Sequence, residues 1–74
     1  KMNKKLYNML KLSAEADKAK ALLSLELLTK HAAGIGDHST GDFYANAEEA
    51  LRLLSSADGR IKTLEEYFFV KGII

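Results

Sequence analysis

Apolar residues in the C-terminal half of the chain follow one uninterrupted pattern, in which spacings of four and three residues alternate as in a heptad repeat. They form what we call the Phe43 seam, which consists of Phe43, Ala47, Ala50, Leu54, Ala57, Ile61, Leu64 and Phe68. The pattern keeps its phase across Gly59, which a turn at that glycine would not preserve. The sequence therefore predicts one long helix over about residues 42–69, with the Phe43 seam as the core of a helical hairpin.

The N-terminal part of the chain is predicted to form a first helix over about residues 3–33. Leucine, alanine, lysine and glutamate are frequent in this segment, and all four favour helix formation. Gly34 is expected to end the helix, because glycine readily adopts the left-handed backbone conformation that follows many helices. The chain has no proline to interrupt either helix.

The apolar residues of this first helix fall on two separate lines along its surface. The first, which we call the Tyr7 line, consists of Tyr7, Leu10, Ala14, Ala21, Leu25 and Leu28. The second, which we call the Met9 line, consists of Met9, Leu12, Ala16, Ala19, Leu23 and Leu27. A helix with two apolar lines requires two neighbours, and the second helix of the same chain supplies only one.

We expect a second copy of the protein to supply the other neighbour, with the Met9 line as the oligomer interface. A domain of this length buries only about 60% of its unfolded surface, so association with another chain is a common source of stability. Each leucine or phenylalanine that becomes buried contributes about 1.5–3 kcal/mol. The predicted fold is all-α, an antiparallel two-helix hairpin that assembles into a helical bundle by homo-oligomerisation, with a dimer favoured.

The connection between the helices is predicted to be a turn over residues 34–41, within a single domain over residues 1–74. Three glycines and several small polar residues occupy this stretch, and both are typical of turns. The apolar tail, residues 70–74, is too short to form an element of its own. Two alternatives stay open for it, namely folding back over the end of the bundle and docking on a partner chain.

The net charge of +1 conceals an uneven distribution. Seven lysines accompany three acidic residues before the predicted turn, whereas six acidic residues accompany three basic ones in the predicted second helix. The two helices are thus electrostatically complementary, and an antiparallel arrangement is expected to bring Lys4 and Lys5 near Glu65 and Glu66. A net charge this small argues against a protein that simply coats nucleic acid.

Composition indicates an intracellular globular protein. Apolar residues make up 47% and charged residues 28% of the chain, as in soluble domains. The chain has no cysteine, which excludes disulfides and gives no hint of an oxidising compartment. No apolar run forms an export signal or approaches the roughly 20 residues that span a bilayer, so no membrane association is expected.

Four residues of metal-binding type lie around the predicted turn, namely His31, Asp37, His38 and Asp42. Their spacing matches no established ligand motif, and both aspartates suit turn or helix-capping roles. We therefore expect structural roles for them and no bound cofactor. Two histidines and no cysteine also provide little material for catalysis, so an enzyme is not expected.

The lysines of the first helix suggest nucleic-acid or regulatory binding as an alternative function. They do not share one face of the helix, and no aromatic residues are interleaved with them; the lysines concerned are Lys4, Lys5, Lys11, Lys18 and Lys20. Asp17 and Lys20 also belong to a polar strip between the two apolar lines. This strip either sets the register of chain pairing through a buried polar contact or stays hydrated in a groove.

Two stretches carry a resemblance to a known group of proteins. Residues 34–51, GIGDHSTGDFYANAEEAL, and residues 56–68, SADGRIKTLEEYF, resemble small uncharacterised helical proteins of tailed marine cyanobacterial phages and ocean metagenomes. The resemblance extends over about residues 6–68. It implies a phage accessory or virion-associated setting and carries no known activity or functional residue. The leading hypothesis is therefore a non-enzymatic, self-associating helical module with an interaction or structural role.

Overall fold

The computed structural model describes residues 2–31 and 40–68, and both segments are helical. Helix α1 is Lys4–His31 and helix α2 is Thr40–Tyr67, each 28 residues long. The described residues contain no β-strand, and the two helices pack against each other. The prediction of an all-α hairpin of two helices is confirmed.

Helix α1 begins one residue later than predicted because Asn3 serves as its N-cap. The Asn3 Oδ1 atom accepts hydrogen bonds from the backbone N–H groups of Lys5 at 2.7 Å and Leu6 at 3.2 Å. The Asn3 carbonyl accepts the first intrahelical bond, from the N–H of Tyr7 at 2.9 Å. An asparagine in this position satisfies amides that have no partner within the helix, which stabilises the helix start.

Both ends of helix α2 also differ from their predicted positions by two residues. Helix α2 begins two residues before the predicted residue 42 and ends two residues before the predicted residue 69. Residues 34–39 of the predicted turn and the tail, residues 70–74, lie outside the described residues, as do residues 32–33 of the predicted first helix.

Helix α2 passes through Gly59 without interruption, as the phase of the Phe43 seam predicts. A Cβ atom added at this glycine would meet no other atom within 4 Å, so the position faces open space and no close contact requires glycine there. Burial of the apolar seam on the opposite side of the helix accounts for the continuity, because it offsets the roughly 1 kcal/mol that glycine costs in a helix.

The two helices run antiparallel in a body that extends 54 Å along its longest axis and 15 Å along each of the other two. Ion pairs between the helices define this direction. Lys11 Nζ lies 3.6 Å from Glu65 Oε2, and Lys18 Nζ lies 3.1 Å from Asp58 Oδ1. The start of α1 therefore lies beside the end of α2.

Small side chains occupy the middle of the interface between the helices. Four alanines are buried there, namely Ala14, Ala21, Ala50 and Ala57. Because alanine has no atoms beyond Cβ, helix backbones can approach closely where alanines meet. Tyr7 and Leu64 are also buried and supply larger side chains to the core. Close packing of this kind is the main contribution to the stability of the hairpin.

The axial register of the hairpin differs from the predicted one. Lys4 and Lys5 form no ion pair with Glu65 or Glu66 among the described residues, and Lys11 takes the place beside Glu65. Seven residues separate Lys4 from Lys11, so the correction amounts to about two helical turns. Packing explains the difference, because exposed ion pairs contribute only about 0–1 kcal/mol and cannot impose a register against the fit of the core.

Candidate association surface

The Tyr7 line faces α2 along its whole length. Tyr7, Ala14 and Ala21 are buried, and the three leucines of the line are half-buried. This is the apolar line that the second helix of the same chain covers. It leaves no large apolar surface on this side of α1 for another partner.

The Phe43 seam lies on the matching face of α2. Ala50, Ala57 and Leu64 are buried, and four further members are half-buried, namely Phe43, Ala47, Leu54 and Ile61. Phe68 remains 39% exposed, since it follows the last residue of α2. Leu53 is half-buried beside the seam, although the strict repeat of four and three does not include it. The face is thus slightly wider than a heptad pattern implies.

The Met9 line lies on the side of α1 that α2 does not cover. All six of its residues are exposed, including Leu12 at 64% and Leu23 at 56%. Leu6 and Leu22 are exposed beside it and extend the apolar surface. Sequence reasoning omitted these two, although their helical spacing of three residues from Met9 and Ala19 was a usable signal. Leu6 and Leu22 lie on opposite flanks of the Met9 line, which itself forms the apolar stripe on this side of α1.

Exposed apolar residues on α2 do not form a comparable line. Tyr44 and Leu51 are exposed on one face two turns apart, but polar residues lie beside them there, namely Glu48, Ser55 and Asp58, and exposed Tyr67 lies 16 residues beyond Leu51. Isolated apolar side chains of this kind are normal on protein surfaces, whereas a contiguous apolar face marks an interaction site. The Met9 line with its flanking leucines is therefore the strongest candidate for a functional surface in the described part of the chain.

The polar strip of α1 takes part in a contact between the helices. Arg60 Nη2 donates a hydrogen bond of 2.8 Å to Asp17 Oδ2, and Arg60 Nε lies 3.2 Å from the hydroxyl of Ser56. Lys20 Nζ lies 3.8 Å from the other Asp17 oxygen, Oδ1. Asp17 is half-buried, so the strip contributes an ion pair within one hairpin. This contact links Asp17 to α2 and leaves the Met9 line purely apolar.

Two shallow grooves run along the hairpin between α1 and α2. The first has a volume of about 460 Å³, and Leu10 and Arg60 contribute to its walls. The second has a volume of about 410 Å³ and is lined in part by Leu27 and Leu28. Because Leu27 belongs to the Met9 line, the second groove is continuous with the exposed apolar face of α1.

The lysines of α1 are mostly engaged with acidic residues. Lys11, Lys18 and Lys20 form the ion pairs described above, and Lys30 Nζ lies 2.9 Å from Glu26 Oε2. A lysine that is already paired offers less charge to a phosphate backbone than a free one. These lysines are therefore a weaker candidate surface than the Met9 line, and nucleic-acid binding stays an untested alternative.

The predicted metal ligands are only partly within the described residues. Asp37 and His38 lie outside them, as does the side chain of His31, while Asp42 is exposed in the first turn of α2. Among the described residues, no group of three or more histidine, aspartate or glutamate side chains could hold a metal ion. A metal site at the turn stays a prediction.

No protein-family model matches the chain, and neither a curated protein nor a solved structure matches it. In the described residues, neither helix has the length and apolar content needed to cross a membrane. The phage-like setting that the resemblance implies stays a prediction.

Proposed function

We propose that this protein is a non-enzymatic helical module that self-associates through the Met9 line and serves an interaction or structural role. The observation that supports the proposal is the exposure of this entire line on a hairpin whose other apolar line is covered by α2. Pairing of two hairpins through this surface gives a four-helix assembly in which the two α1 helices are in contact, because the Met9 line lies on the side of α1 away from α2.

The physical reason is the free energy available from covering the exposed leucines. Complete burial of one leucine contributes about 1.5–3 kcal/mol, and Leu12 and Leu23 each realise less than half of that in the isolated hairpin. Association also costs about 4–15 kcal/mol in lost translational and rotational freedom. We therefore expect an association that depends on protein concentration.

A structural role fits the composition of this surface better than a catalytic one does. The Met9 line consists of methionine, leucine and alanine, whose side chains neither transfer protons nor act as nucleophiles. Such a surface recognises another apolar surface. The resemblance to phage proteins suggests a setting for the proposed function, in which the assembly acts as a phage accessory or virion-associated component inside the host cell or in the particle.

Light scattering on two matched variants tests the proposal. Leu23→Lys places a charge on the Met9 line, and Leu51→Lys places the same charge at an equally exposed leucine of α2, since the two leucines are 56% and 58% exposed. We expect the wild-type protein and Leu51→Lys to show twice the 8.2 kDa mass of one chain at micromolar concentrations, and Leu23→Lys to show the mass of one chain.

Circular dichroism should show the same helix content in all three proteins, so that loss of association is not confused with unfolding. A wild-type protein with the mass of one chain throughout the micromolar range would contradict the proposal. Equal weakening of association by both substitutions would place the contact on another surface and would also contradict it.

A further inference from the structure

We propose that the second copy packs its own α1 antiparallel against this α1, across a two-fold axis that passes between Ala16 and Ala19. This inference rests on the proposed self-association and specifies the partner surface and its direction. Three observations support it, namely the order of side-chain sizes along the Met9 line, the way the same order packs within the hairpin, and the charge at the two ends of α1.

Side-chain sizes along the Met9 line read the same in both directions. From Met9 to Leu27 the order is large, large, small, small, large, large. In an antiparallel pair centred on the two alanines, Ala16 lies opposite Ala19 of the second copy and Leu12 lies opposite Leu23. A two-fold interface must be self-complementary in this way, because each residue pair occurs twice with the chains exchanged.

The hairpin itself shows that this order of sizes suits antiparallel packing. The Tyr7 line has the same order, with two large residues, two alanines and two leucines, and it packs antiparallel against α2. Its alanines, Ala14 and Ala21, are completely buried against a helix that also contributes buried alanines. The Met9 line presents an equivalent set of side chains on the other side of α1.

Charge at the helix ends favours the antiparallel direction over the parallel one. The first turn of α1 has no acidic residue and carries Lys4 and Lys5 at the positive end of the helix dipole. Parallel pairing would bring two such ends together. Antiparallel pairing about this axis instead places Lys5 level with Lys30 of the second copy, about one turn from Glu26 and beside the negative end of the other dipole.

Lys30 is the one basic residue that this arrangement brings close to Lys5. Its ammonium group lies 2.9 Å from Glu26 of its own chain, so the neighbouring carboxylate partly compensates for its charge. In the parallel arrangement Lys5, Glu26 and Lys30 would each lie beside the same residue of the second copy. The antiparallel arrangement therefore has fewer contacts between like charges.

Crosslinking of single-cysteine variants distinguishes these arrangements, because the wild-type chain has no cysteine of its own. With a short bismaleimide reagent, Ala16→Cys should crosslink to itself, since its two copies are offset by only three residues, about 4.5 Å along the axis. Leu12→Cys alone should not crosslink, because its copies are offset by eleven residues, about 16 Å. A mixture of Leu12→Cys and Leu23→Cys should crosslink as a mixed dimer.

Leu51→Cys on α2 is the matched control, and we expect no crosslinked dimer from it. Efficient crosslinking of Leu12→Cys to itself would show parallel pairing and would overturn the inference, as would failure of the mixed pair. The mass of each variant before crosslinking distinguishes a wrong pairing direction from a failure to associate. A dimer with the wrong crosslinks overturns the antiparallel geometry alone, whereas the mass of one chain overturns the self-association as well.

Discussion

The two apolar lines of α1 are almost identical in composition but lie in opposite environments. Each contains two alanines and three leucines, and they differ only in their first residue, which is Tyr7 in one and Met9 in the other. The Tyr7 line is covered by α2, while Leu12 in the Met9 line is 64% exposed. The comparison shows that apolar pattern alone does not determine which line the hairpin buries.

Charges beside the lines provide the physical basis for the choice. Lys11 and Lys18 each lie one turn after a buried residue of the Tyr7 line, and they meet Glu65 and Asp58 of α2. Each pair contributes only about 0–1 kcal/mol. Because the two lines have nearly the same composition, terms of this size favour the Tyr7 line as the one that faces α2.

The largest expected effect comes from deleting a buried side chain that faces the Tyr7 line. Leu64 is 7% exposed, so Leu64→Ala should lower the free energy of unfolding by about 2–5 kcal/mol through lost burial and a cavity. Urea unfolding followed by circular dichroism measures this change. The matched variant Leu12→Ala, measured at a dilution where the chain is monomeric, should change the free energy by no more than about 0.5 kcal/mol.

Comparable losses from Leu64→Ala and Leu12→Ala under those conditions would contradict the assignment of one line to the hairpin and the other to the surface. The same two variants measured at higher protein concentration also test the association surface. Association stabilises the folded chain by mass action, so the free energy of unfolding should rise with protein concentration. Leu12→Ala should reduce this rise.

Enlarging a buried alanine should have the next largest effect. Ala14 is completely buried, so Ala14→Leu should separate the helices and lower the free energy of unfolding by about 1–3 kcal/mol. Ala45→Leu, on the exposed side of α2, is the control and should be nearly neutral. Equal and small effects of the two substitutions in thermal unfolding would show that the helices do not meet closely at Ala14.

Reversing one interhelical charge should produce the smallest effect. Lys18→Glu places two negative charges together beside Asp58 and should lower the free energy of unfolding by up to about 1 kcal/mol at low salt. The exchanged pair, Lys18→Glu with Asp58→Lys, should recover most of the loss. Both differences should shrink at high salt, where exposed charges are screened. Failure of the exchange to restore stability would indicate that this ion pair does not orient the hairpin.

The sequence predicted the parts of the fold that depend on periodicity. The seam that keeps its phase across Gly59 corresponds to one continuous helix, and the residues of the Tyr7 line share one face of α1. A period of 3.6 residues fixes which side chains share a face, so these features can be predicted from the sequence of one segment alone.

Features that depend on the relative position of two segments were not predictable in the same way. The contact between Asp17 and Arg60 requires the axial register, and that register was predicted wrongly from Lys4 and Lys5. Exposed charges carry too little energy to reveal it, whereas the fit of many small side chains against each other determines it. The cap at Asn3 was also missed, although asparagine before a helical segment is a recognisable signal.

Contact between the Met9 lines of two copies is tested most directly by an isotope-filtered nuclear Overhauser experiment on a mixture of ¹³C-labelled and unlabelled chains. The methyl groups of Leu12 and Leu23 should show cross-peaks to the unlabelled copy, while those of the equally exposed Leu51 should show none. A filtered spectrum without cross-peaks from Leu12 and Leu23, at a concentration where the mass is that of a dimer, would contradict the account.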